Sequence, residues 1–72
     1  MVKTSSVFDN LIYHIRGYMG ENKVSVKEMA MCCRVSCSTF YQRMNRPNEF
    51  KIGELMNLAS KMQKPLSELF VK

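Results

Sequence analysis

Seventy-two residues make one domain and leave no room for a second core. A hydrophobic share of 46% with 24% charged residues is a globular mix, which excludes a disordered chain, while a formal charge of +5 at pH 7 favours polyanionic partners. No apolar run approaches the ~18–20 residues needed to cross a bilayer, and the opening MVKTSSVFDN has no apolar targeting core, so a cytoplasmic chain with no membrane partner is expected.

Residues 1–4 read as a loose terminus. Ser5 or Ser6 offers a cap for a first helix, with Asp9 three residues after Ser6 as the reciprocal partner. Phe8, Leu11, Ile12, Ile15 and Tyr18 or Met19 recur at helical spacing and predict a helix ending near Met19, where Gly20-Glu21-Asn22 is a stop signal. Gly17 weakens that helix by roughly 1 kcal/mol relative to alanine. His14 lies off the apolar stripe, and with no second ligand nearby it reads as solvent-facing or locally hydrogen-bonded.

Ser25 followed by Glu28 is a capping-box pair and opens a second helix, Val26 to Cys33, with Met29, Ala30 and Cys33 inward. Ser36 caps a third helix over Cys37 to Asn45, where Phe40 and Met44 form an i, i+4 apolar stripe. The opposite face carries Ser38, Tyr41, Gln42, Arg43 and Asn45. Arg46-Pro47-Asn48 ends this helix, since proline disfavours helical geometry in the residue before it. A fourth helix follows from Ile52 to Met62, its core face assigned to Ile52, Leu55, Met56, Leu58, Ala59 and Met62. Lys51 is a poor cap, so that end is expected to fray or to be capped by the preceding loop. Pro65 opens a last short helix, Leu66 to Val71, with Leu66, Leu69 and Phe70 apolar. No segment alternates at period two. The fold class expected is all-α, a compact bundle of about five short helices.

The chemistry-bearing residues are few. Cys32, Cys33 and Cys37 crowd into six residues, too close to staple a loop and without the separated pairs of a zinc site, so reduced thiols and no metal or cofactor are expected. Cys37 near a helix N-terminus is a candidate redox switch. There is no paired carboxylate, nucleophile–base pair or glycine-rich phosphate loop, which argues against an enzyme or a small-molecule substrate. Two helices across a tight turn, residues 25–45, read instead as a helix-turn-helix with 36–45 as the recognition helix. On it, Gln42 and Ser38 are candidates for base edges, Tyr41 for sugar, phosphate or a thymine methyl, and Arg43, Arg46 and Lys51 for the DNA backbone. Lys27 adds a further backbone candidate, and Arg34 a weaker one. The plainer alternative is a solvated polar face, and for Tyr41 a place over the rim of the core.

From Val26 to Phe70 the chain resembles the Cro/phage-repressor (XRE) helix-turn-helix family, in the stretches SCSTFYQRMNRPNEF, IGELMNLASKM and PLSELF. The resemblance implies a five-helix, lambda-repressor-like fold, operator double-stranded DNA as ligand, a transcription-regulating role in a phage or prophage setting, and often a homodimer. By position it assigns Ala30, Val35 and Phe40 to the helix contacts, and Ser36, Cys37, Ser38, Tyr41 and Gln42 to DNA. Arg34 stands where the family prefers glycine, and Val26 where many members place a glutamine that holds a phosphate. A two-fold dimer through Leu69, Phe70 and Val71 would set two recognition helices about 34 Å apart. The contrasting reading is a protein-interaction module of the same fold, antitoxin-like or anti-repressor, marked by acids that neutralise the basic face. Glu49 is the sole acid between Arg34 and Lys51.

Overall fold

A computed structural model describes residues 6–71. Four α-helices follow in order: α1 (Ser6–Asn22), α2 (Val26–Cys33), α3 (Cys37–Asn45) and α4 (Ile52–Met62). Two 3-10 turns, Pro47–Glu49 and Leu66–Phe70, complete the chain, and no strand occurs among the described residues. The all-α class stands, with four α-helices rather than about five. The last segment bonds at i to i+3, Glu68 N–H to Pro65 O at 3.0 Å and Val71 N–H to Glu68 O at 3.4 Å. A three-residue period stacks Leu66 and Leu69 on the side that meets the core.

The expected cap at Ser5 or Ser6 rests on side chains outside the described residues. At its other end α1 passes straight through Gly20 and stops at Lys23, whose φ of 53° is left-handed, with Val24 N–H bonded to Met19 O at 3.0 Å. The stop signal therefore lies beyond the glycine. It is the half-buried Met19 and Val24, packed against the core, that close this end. The same six-to-one bond ends α2 (Val35 N–H to Ala30 O, 3.0 Å) and α4 (Lys64 N–H to Ala59 O, 3.1 Å). Arg34 (φ 62°) and Gln63 (φ 57°) take the left-handed positions there, while the three glycines of the chain all have negative φ.

The core gathers Leu11 and Ile15 from α1, Met29, Ala30 and Cys33 from α2, Phe40 from α3, Leu55, Leu58, Ala59 and Met62 from α4, and Phe50 and Leu69 from the connections. Ile52 and Met56, expected inward, are 65% and 59% exposed. The inward arc of α4 is rolled toward Glu54, which is itself buried, so those two residues fall just past its edge. Leu69 is fully buried, and Phe70 stacks edge-on against Phe8 at 6.2 Å. Asn10 Nδ2 donates to Phe70 O at 3.3 Å and His14 Nε2 to Val71 O at 2.6 Å. A carbonyl only accepts, so that ring nitrogen carries the proton. His14 is thus hydrogen-bonded, but to a residue 57 positions away rather than locally.

Candidate nucleic-acid interface

The α2–α3 pair is built from two serine caps and one strained turn. Ser25 Oγ accepts from Glu28 N–H at 3.2 Å, and Ser36 Oγ accepts from Thr39 N–H at 3.1 Å. Each bond satisfies one of the free N–H groups of a helix start. The capping box at α2 is only half made, because the Glu28 carboxylate lies 3.5 Å from the Ser25 hydroxyl rather than on the Ser25 N–H. Arg34 then reverses the chain at φ 62°, ψ 40°. Its side chain is exposed and it donates its N–H to Met31 O at 3.0 Å. A residue with a Cβ pays about 1 kcal/mol or more for this conformation, so the arginine stores strain in the turn.

Between these ends α3 sinks one side chain fully, Phe40, while Thr39, Arg43 and Met44 are half-buried. Cys37, Ser38, Tyr41, Gln42 and Asn45 are exposed, and their spacing of 1, 4, 5 and 8 residues from Cys37 places them on one face. Ser36 joins them at the N-terminal end. Lys27 is exposed in the first turn of α2, and Arg46 and Lys51 are exposed in the connection to α4. Gln42, Asn45, Arg46 and Glu49 line a polar groove of about 340 Å³ at the C-terminal end of α3.

Arg43 is the exception among the assigned contacts. Its Nε lies 3.0 Å from Glu54 Oε1 and its Nη2 3.5 Å from Oε2, with the two side chains 16% and 9% exposed. The guanidinium is turned into the molecule and engaged by a carboxylate, so it does not stand with Arg46 and Lys51 as an outward cation. Glu54 Oε1 also accepts the Lys51 N–H at 3.1 Å. Burial pushes the Glu54 carboxyl up, but the hydrogen bonds from Arg43 and Lys51 outweigh it and hold the group below its ordinary value. The start of α4 is therefore neither frayed nor capped by the loop. Its own third residue caps it.

Arg46 Nη1 lies 3.6 Å from Glu49 Oε2 in an exposed pair. Of the four cations from Arg34 to Lys51, two thus face an acid, and Arg34 and Lys51 do not among the described residues. Glu54 escaped the sequence reading because it lies eleven residues from Arg43. The signal available was local, a glutamate three residues after a lysine that has no acceptor to cap with.

The cysteines are free. Cys33 is buried and its thiol is pushed up to about 12, by burial first and then by its neighbour Cys32. Cys32 is half-buried, raised by burial, and its Sγ lies 3.5 Å from Asn57 O. Cys37 stands exposed on the α3 face. No group of three or more metal-binding side chains comes together, and no helix is long and apolar enough to cross a membrane, among the described residues. No family model, curated protein or solved structure matches the chain.

Proposed function

We propose that the protein is a sequence-specific double-stranded DNA-binding regulator of the Cro/repressor type, whose residues 25–45 act as a helix-turn-helix and whose α3 enters the major groove. One observation carries the reading. A short helix, capped by Ser36 after a left-handed turn, buries Phe40 fully and presents Ser38, Tyr41, Gln42 and Asn45 together on its exposed face. Gln42 suits adenine, whose N6 and N7 it can bond together, and Ser38 suits several base edges. Cys37 and Tyr41 flank them and can touch a thymine methyl. Ser36, Lys27, Arg46 and Lys51 are left for phosphates, and Arg43 is withdrawn from that list. Phosphate contacts supply most of the affinity in such a complex and the base contacts its specificity. The compartment that goes with this reading is the cytoplasm of a bacterial host, with the gene carried by the host or by a phage.

The homodimer through the C-terminal region stays part of the proposal: Leu69 is fully buried and Phe70 meets Phe8 of α1 edge-on, which leaves Val71 and the outer side of Phe70 as its apolar surface. In such a dimer each protomer takes one half-site.

A second reading, the protein-interaction module, is favoured by two specific findings. Half of the cations between Arg34 and Lys51 are paired with acids, and Tyr41, Ile52 and Met56 are exposed apolar residues on α3 and α4. Selection from a random duplex library at near-physiological salt separates the two. Enrichment of a defined motif supports the DNA reading, and weak, salt-sensitive binding without enrichment supports the module.

A further inference from the structure

The ion pair between α3 and α4 engages Glu54, the one buried charged side chain among the described residues, and its position beside the exposed α3 face bears on how that face is aimed. Phe40 is the single fully buried side chain of α3. Phe40 and the half-buried Met44, which packs against the same core, hold one apolar stripe of the helix, and apolar contacts of this kind carry little directionality. Arg43, next to Met44 in sequence, adds a directional bond that limits the roll of the helix about that stripe. Its two bonds to Glu54 form a planar fork, which constrains direction as well as distance.

The same carboxylate does a second task. Glu54 Oε1 receives Arg43 Nε at 3.0 Å and the Lys51 N–H at 3.1 Å, so one oxygen ties α3 to the residue that opens α4. The connection between them, Arg46 to Phe50, is closed underneath by Phe50, which meets Phe40 edge-on at 6.3 Å. Arg46 and Lys51, the outward cations, ride on a loop pinned at both ends.

We propose that Arg43 and Glu54 are positioning residues that set the roll of α3, and so determine sequence preference without touching DNA. This rests on the DNA-binding reading above. Hydrogen bonds to base edges weaken steeply outside a narrow range of distance and angle, so a small roll of α3 removes base contacts. Phosphate contacts made by long flexible side chains tolerate the same roll. A buried ion pair is weak evidence for stability, whereas its directionality suits it to holding an orientation.

The test compares wild type with Arg43→Lys, which keeps the charge and loses the fork, and with the double variant R43M/E54M, which removes the pair without leaving a buried charge. Binding is measured to the duplex that wild type enriches and to a scrambled duplex, at several salt concentrations, with helical circular dichroism at the assay temperature as the folding control. The expected result is a fall in the preferred-to-scrambled ratio of about tenfold, the discrimination of one good base contact, with affinity for the scrambled duplex and its salt slope unchanged. A ratio that stays at the wild-type value in either folded variant overturns the proposal. So does a ratio lost only together with the helical signal in both variants, since the pair would then act through stability. A wild type that prefers no duplex at all overturns the DNA reading instead.

Discussion

Replacing Gly17 and Gly20 with alanine tests how α1 is built. Both lie inside the helix with negative φ, both are exposed, and nothing stands within 4 Å of the Cβ that alanine would add at either site. The substitution therefore brings no clash and no new contact. What remains is backbone entropy, which makes glycine in a helix interior about 0.5–1 kcal/mol worse than alanine. Gly20 lies nearer the helix end, so its share falls at the low end of that range. The pair sums to roughly 1–1.5 kcal/mol, a large part of the ~4–11 kcal/mol expected for a domain of this length. For so small a domain each 1 kcal/mol moves Tm by about 4–8 °C, so G17A alone is expected to raise it by about 2–8 °C. The assay is thermal and urea unfolding followed by circular dichroism, with an unchanged urea slope showing that stability alone has moved. A Tm for G17A at or below wild type would refute the reasoning, because a continuous helix through Gly17 leaves no other route for alanine to act.

Three further outcomes follow from the same geometry. At Arg34 the order of stability is expected to be glycine, then arginine, then valine, since a left-handed residue is free of Cβ strain only in glycine and a β-branched side chain suffers most; urea midpoints of R34G and R34V check it, and R34V at least as stable as wild type would contradict it. Glu54 is held below its ordinary value when folded, so the unfolded chain protonates more readily and the stabilisation is present above the ordinary carboxylate value of about 4.3 and is lost as pH falls through the folded value. Wild type and Glu54→Gln should therefore converge in urea midpoint toward acid, and parallel curves would show that this carboxylate contributes nothing to acid unfolding. On DNA, Gln42→Ala should relax preference at one or two base pairs, while Lys51→Ala should weaken every sequence alike and reduce the salt slope by about 1. Equal losses on all duplexes from both variants would contradict that division of labour.

Much of the middle of the chain was legible in the residues themselves. The bounds of α2, α3 and α4 agree with the reading from Ser25, Ser36, Pro47 and the apolar spacing, because caps and prolines act within three or four residues and need no distant partner. The exposed row Cys37, Ser38, Tyr41 and Gln42 follows from helical periodicity once Phe40 is inward. The missed features all depend on elements meeting. α1 ends where Met19 and Val24 find the core, not where glycine first permits an end. Ile52 and Met56 are apolar at the right spacing, yet the roll of α4 toward Glu54 leaves them outside. Arg43 carries the same charge as Arg46 but is turned inward onto a carboxylate eleven residues on, whereas Arg46 stays exposed beside one three residues on, and His14 finds its acceptor 57 residues away. Periodicity and capping are local, so the sequence alone determined the elements and the face that α3 presents. Which cation points outward, and which apolar residues are covered, depends on crossing angles and helix roll, and these are set by packing the whole chain at once.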